Sequence, residues 1–228
     1  MNNMKYKNFK HLPHHSAKSD SAKTTTTENG RMYEIDGKTY PSVTTVTGFA
    51  KQAFFAEWRK NNPKEMNRVL DRGNKLHQCV EDYLNNKKPS ADDWGPFIWQ
   101  LFMQMKGELD KIDNVHAQEI ALYSDLLHLA GRVDCVGEYD GKLSIIDFKG
   151  STRDKKKEDI ENYFQQATAY AIMWQEMFGK KIEQIVIIVS TDDGGVQVFK
   201  ENPMNYVKSL KECIEDYFKA VLDERAFL

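Results

Sequence analysis

One stretch constrains the architecture more than any other: Ile182 to Ser190, in which Ile185-Val186-Ile187-Ile188-Val189 is an unbroken run of β-branched apolar residues. Side chains alternate between the two faces of a strand, so a run without a polar phase must be covered on both. Such a strand lies inside a sheet that has a layer on each side, and the rest of the chain can supply those layers. Helices are expected over Gln52 to Lys60, Lys64 to Asn85, Trp94 to Ile112, Lys156 to Phe178 and Met204 to Asp223. The second carries the stripe Leu76, Val80, Tyr83 and Leu84, and the third Phe97, Leu101, Met105 and Leu109. Further strands are expected over Ala117 to Ser124, His128 to Tyr139, Lys142 to Lys149 and Val196 to Phe199, with a separate hairpin, Arg31 to Ile35 and Lys38 to Tyr40, about Asp36-Gly37. This order predicts an α/β fold: a mixed central β-sheet flanked by helices, with an N-terminal helical extension.

The 228 residues suffice for one domain. Residues 1–29, with the run Thr24 to Thr27 and few large apolar side chains, read as a flexible tail ahead of a single domain over 30–228, and His11, His14 and His15 belong to that tail. Cys79, Cys135 and Cys213 form no C-x-x-C pair and read as small buried residues, which excludes a disulfide framework or a zinc site. No apolar run reaches the roughly 18 residues that cross a bilayer, and Met1 to Lys10 lacks the apolar stretch of a secretory signal, so no membrane association is expected and the location reads as cytoplasmic. A net charge of −2 excludes binding to nucleic acid by a coat of positive charge alone. It does not exclude a phosphodiester-cleaving site, where carboxylates gathered on a metal mask basic residues nearby.

The chemistry-bearing pattern lies on two strands joined by Asp140-Gly141. Gly131-Arg132-Val133-Asp134 runs into the turn and Ile145-Ile146-Asp147-Phe148-Lys149 runs out of it. Asp134 and Asp147 stand equally far from the turn on its two arms, so an Asp-Gly hairpin makes them cross-strand neighbours. Asp147 and Lys149 share a face, while Phe148 turns to the other. Opposed carboxylates repel, and a hard divalent cation removes the repulsion. Mg²⁺ is the natural choice, since it takes one or two carboxylates, water and phosphate oxygens. Lys149 can hold or help deprotonate an attacking water and balance phosphate charge. An ordinary Asp147-Lys149 ion pair on an exposed strand also explains the second arm but leaves Asp134 uncompensated, and a D-x-K triplet alone is a weak signal. A metal enzyme on an unrelated α/β fold is the other reading.

The segment resembles the RecB-like branch of the PD-(D/E)XK nuclease superfamily, and further positions match in order. These are His77 in Arg72-Gly73-Asn74-Lys75-Leu76-His77, Glu119 on the strand before Asp134, and the Q-x-x-x-Y pair Gln166 and Tyr170. Tyr40-Pro41-Ser42-Val43-Thr44-Thr45-Val46 and Phe55-Ala56-Glu57-Trp58-Arg59 extend the resemblance, over about residues 38 to 190, to the mitochondrial genome maintenance and phage exonucleases of that branch. Gly150 departs from the pattern, standing where relatives often carry a hydroxyl residue. With only three cysteines, the four-cysteine iron–sulfur cluster of some relatives cannot be built.

The resemblance implies a restriction-endonuclease-like core and metal-dependent hydrolysis of DNA. It implies Mg²⁺ or Mn²⁺ held by His77, Glu119, Asp134, Asp147 and the Phe148 carbonyl, with Lys149 positioning water and Gln166 and Tyr170 orienting the lysine or the scissile phosphate. Ser42, Thr44, Thr45, Arg72, Ser151, Lys155 and Lys156 would contact the DNA backbone, and Trp58 or Phe55 would stack a base. An exonuclease on single-stranded or end-containing DNA, serving replication, recombination or repair beside a protein partner of those processes, is favoured over a structure-specific endonuclease. A phage-encoded chain would act in the host cytoplasm. The other readings are a packed His77, a β-branched strand at residues 42–46, a half-buried face at Gln166 and Tyr170, a solvated run at Lys155 to Lys157, and a DNA-binding module without catalysis.

Overall fold

The structure is a computed structural model that describes residues 5–14, 16–27 and 30–226. The chain begins with a short helix α1 (Ala17–Asp20) and three strands, β1 (Lys23–Thr27), β2 (Gly30–Ile35) and β3 (Lys38–Pro41), which form a small antiparallel sheet in that order. Four helices follow: α2 (Val43–Thr47), α3 (Gln52–Asn61), α4 (Pro63–Leu84) and α5 (Ala91–Leu109). The central sheet then forms from β4 (Ile112–Ser124), β5 (Leu129–Tyr139) and β6 (Lys142–Ser151); after the crossover helix α6 (Glu161–Phe178), β7 (Gln184–Thr191) and β8 (Val196–Glu201) complete it, and α7 (Val207–Ala226) closes the described chain. The strands lie in sequence order, with β6 and β7 parallel and every other neighbour antiparallel. The expected mixed sheet flanked by helices is therefore the fold.

All eight residues of β7 are buried. Ile185, Ile187 and Val189 join the core beneath α2, α6 and α7, while Val186 and Ile188 face α4 and α5 with Leu76, Val80 and Phe102. The same alternation divides β6: Ile145 lies on the α6 side, and Ile146 and Phe148 on the α4/α5 side. Asp147 and Lys149, in phase with Ile145, consequently stand toward α6. That helix stops at Gly179, whose φ of 68° is the left-handed geometry of a C-terminal cap. Among the described residues no helix is long and apolar enough to cross a membrane.

The N-terminal segment departs from the expected tail. Phe9 is buried edge-on against Tyr83, with ring centroids 5.1 Å apart, and its backbone N–H and carbonyl are both bound by the Asn86 side chain at 2.6 and 3.0 Å. Lys10 and Leu12 exchange backbone hydrogen bonds of 2.8 Å with Val115, and β1 pairs along its length with β2. Backbone ladders, the Phe9 ring and scattered polar contacts from Tyr6, Lys7 and Ser19 hold the described residues of this segment, and every β1 side chain is exposed, so no hydrophobic period marks it. Three further differences have local causes. Val43–Thr47 is a helical turn because the Ser42 hydroxyl accepts the Thr45 N–H at 3.0 Å, a cap that outweighs the β preference of the branched residues. Helix α5 kinks at Gly95 (φ 73°) before Pro96, and β4 begins earlier than expected because a register shift between Asp113 and Ala117 lets it continue past a break in its ladder.

Candidate active site

The hairpin about Asp140-Gly141 forms as the sequence predicts, with both turn residues at positive φ (50° and 76°) and pairing in the expected register from Tyr139 opposite Lys142 to Cys135 opposite Ile146. One step further out, at Asp134 and Asp147, the ladder opens. The Phe148 N–H donates instead to the Asp134 carboxylate at 2.9 Å. A residue's N–H and C=O leave a strand on the same edge, so the Phe148 carbonyl faces this gap too, while the Phe148 ring is buried on the opposite face of the sheet.

On the neighbouring strand, the ladder of Ala117, Gln118 and Ile120 with β5 brackets Glu119 opposite Asp134, and Glu119 has a φ of 49°. Left-handed backbone is unusual for glutamate in a strand and re-aims its side chain. Helix α4 brings His77 from above: its Nδ1 is 3.5 Å from Asp134 Oδ2 and 4.0 Å from Glu119 Oε1. His77, Glu119 and Asp134 thus offer one nitrogen and two oxygen ligands within 4.8 Å of one another. Burial disfavours a charged His77 ring, but Asp134 and Glu119 outweigh it and raise its pKa to about 9.

Asp147 lies behind this cluster, 2% exposed. Lys149 Nζ donates to its Oδ1 at 2.8 Å and lies 2.6 Å from Oδ2, off the line of a hydrogen bond, and Gln166 Nε2 donates to Oδ1 at 3.4 Å. Oδ2 therefore remains a buried carboxylate oxygen without a hydrogen-bond partner. Burial and the Asp134 charge push the Asp147 carboxyl up against the pull of Lys149, whereas for Lys149 the two aspartates overcome burial and hold the ammonium charged. A buried carboxylate held by Lys149 beside an imidazole and two further carboxylates is a donor set that fits a hard divalent cation.

Tyr170, four residues after Gln166 on α6, lies against β5 where Gly131 leaves room, since a Cβ at Gly131 would meet its hydroxyl oxygen at 2.7 Å. Burial first and Asp134 second keep this phenol protonated. His77, Glu119, Asp134, Lys149, Gln166 and Tyr170 border a cleft of about 510 Å³ that Ser42 and Thr44 also line. Thr45 turns to the adjoining groove with Phe55 and Arg59. Trp58 sits with Phe55 and Met66 in an apolar depression that shares Val69 and Leu70 with the cleft.

Other expected DNA contacts are placed differently. Arg72 is 8% exposed and held by both oxygens of Asp192, at 2.8 and 3.1 Å, so its guanidinium is not open to phosphate. Ser151 is buried and donates to the Arg153 carbonyl. Lys155 and Lys156 lie in the loop after β6, outside the cleft lining. Gly150, the departure noted in the sequence, stands under α4, where a Cβ would lie 3.3 Å from Leu76 and 3.5 Å from Arg72. Two cleft cations escaped the sequence reading. Arg132 was legible, being in phase with Asp134 on β5; Arg31 required knowing that the β2–β3 hairpin docks beside β5.

A mixed sheet with a carboxylate–lysine pair at the point where its hairpin opens, served by a histidine above and a Gln–Tyr helix behind, defines the class: a nuclease fold of restriction-endonuclease type. The chain belongs to the PD-(D/E)XK nuclease superfamily, whose family model matches residues 99–226. It is 28% identical over 172 residues to mitochondrial genome maintenance exonuclease 1 of Mus musculus, covering 68% of this chain and 50% of that protein. The Homo sapiens protein of the same name is 27% identical over 151 residues, covering 63% and 43%. A crystal structure of a candidate exonuclease from Eubacterium rectale aligns at a TM-score of 0.48 and 14% identity, covering 68% of this chain and 66% of that one. The chain spans about half the length of the curated relatives it matches.

Proposed function

We propose that this chain is a divalent-metal-dependent DNA exonuclease acting on single-stranded or end-containing DNA in replication, recombination or repair. The observation that carries the reading is the three-ligand cluster of His77, Glu119 and Asp134 beside the buried Asp147–Lys149 pair. Mg²⁺ or Mn²⁺ would be held by His77, Glu119, Asp134, Asp147 and the Phe148 carbonyl. When bound, the ion polarises the scissile phosphate and lowers the pKa of water. Lys149, which donates to Asp147 at the edge of the cleft, would hold the attacking water and balance charge on the phosphate. Gln166 steadies Asp147, and the neutral Tyr170 phenol donates toward the phosphate. Ser42, Thr44, Arg31 and Arg132 line the approach for backbone oxygens, and the apolar depression at Phe55 and Trp58 suits an unpaired base. The names of the curated relatives agree with DNA as substrate and with exonuclease action.

The test is incubation of end-labelled single-stranded, duplex and circular DNA with Mg²⁺ and with EDTA. Degradation of linear strands with Mg²⁺ alone, sparing the circle, is expected. Asp147→Ala and Lys149→Ala should reduce it by about a thousandfold with the fold intact. Cleavage of the circle would assign an endonuclease, and binding of DNA without turnover would assign a module that has lost its chemistry.

A further inference from the structure

Lys149 has a second neighbour besides the carboxylate. Its ammonium lies 5.3 Å from the centroid of the Tyr163 ring. Tyr163 stands on α6 three residues before Gln166 and seven before Tyr170, and so on the same face of the helix. The ring is half-buried and packs on the α6-side core. A lysine side chain is long and freely rotating, and one carboxylate fixes the distance of its ammonium without fixing its direction. An aromatic face attracts the cation through its quadrupole and closes one side of the arc the ammonium could sweep. Asp147 and Tyr163 together leave the cleft, which Lys149 lines, as the open direction for its remaining donors.

The geometry points to Tyr163 as the positioning residue of Lys149, its ring face, not its hydroxyl, seating the ammonium against Asp147 and aiming it into the cleft. This role rests on the nuclease reading above. Tyr163→Phe keeps the ring, and Tyr163→Leu keeps apolar volume without a π face. With Mg²⁺ and linear single-stranded DNA, the Phe variant should keep kcat within about twofold, and the Leu variant should lose roughly tenfold in kcat with KM unchanged. In wild-type protein labelled with ¹³C-lysine, the Lys149 methylene protons next to the ammonium should be shifted upfield by the ring, and the shift should persist in the Phe variant and vanish in the Leu variant. A Phe variant as impaired as the Leu variant, a Leu variant with wild-type kcat, or wild-type Lys149 signals without the ring shift would each overturn the assignment. The last is read without any variant having to fold. Wild-type protein inactive on every DNA substrate, yet with a shifted Lys149 signal, would count against the nuclease reading and leave the seat of Lys149 in place.

Discussion

Gly131→Ala tests whether the site is assembled by close packing. The added methyl would lie 2.7 Å from the Tyr170 hydroxyl oxygen and 2.8 Å from Cε1, closer than a Cβ tolerates, and 3.2 Å from Cζ, a tight contact. Tyr170 is 2% exposed within the core under α6, so it cannot swing into solvent to make room. Either β5 or α6 must yield. Overpacking of this kind costs about 1–3 kcal/mol. The disturbance would not stay local, because Tyr170 interacts with Gln166, which donates to Asp147. The expected outcome is a lowered urea midpoint with unchanged m-value, together with a fall in single-turnover cleavage larger than the stability loss explains. Adding Tyr170→Phe to the alanine variant removes the 2.7 Å contact and leaves the one at 2.8 Å, so it should restore only part of the stability. A Gly131→Ala protein within about 0.5 kcal/mol of wild type and fully active would refute the reasoning.

Other outcomes follow from single contacts. Phe9→Ala should destabilise the fold by about 3 kcal/mol in urea, since the ring is 2% exposed against Tyr83; a mobile tail predicts no change. Arg72→Ala should cost about 2–4 kcal/mol and leave the salt dependence of DNA binding unchanged, because Arg72 is committed to Asp192; a phosphate contact predicts the reverse. His77 must be neutral to bind a metal, yet in the metal-free protein its pKa is raised to about 9. Binding of Mn²⁺ at pH 7 should therefore release about one proton, measured by calorimetry in buffers of different ionisation enthalpy, and apparent affinity should rise as pH approaches 9.

Much of the sheet was legible because its signals are local. The unbroken apolar run of β7 required cover on both faces, and the Asp140-Gly141 turn set the register that brings Asp134 toward Asp147. The ladder's opening at that point was not legible, because it arises when the Asp134 side chain takes the Phe148 N–H. Glu119 joins the site through a backbone conformation that no periodicity announces, and Arg31 through a hairpin that docks from elsewhere in the chain. Arg72 read as a cation free for DNA because its partner Asp192 is 120 residues away. The N-terminal segment was misread for a related reason: backbone pairing, the buried Phe9 ring and contacts to distant residues such as Pro89 and Ala121 hold its described residues, and none of these leaves a compositional trace.

The central proposal is that His77, Glu119 and Asp134, whose ligand atoms lie within 4.8 Å of one another, hold a catalytic divalent cation together with Asp147. Anomalous diffraction from crystals soaked in Mn²⁺ tests it most directly. The account predicts a peak between those four side chains and the Phe148 carbonyl, lost in Asp134→Asn. Diffraction with no peak there, or with the ion bound at a different cluster while nuclease activity persists, would contradict it.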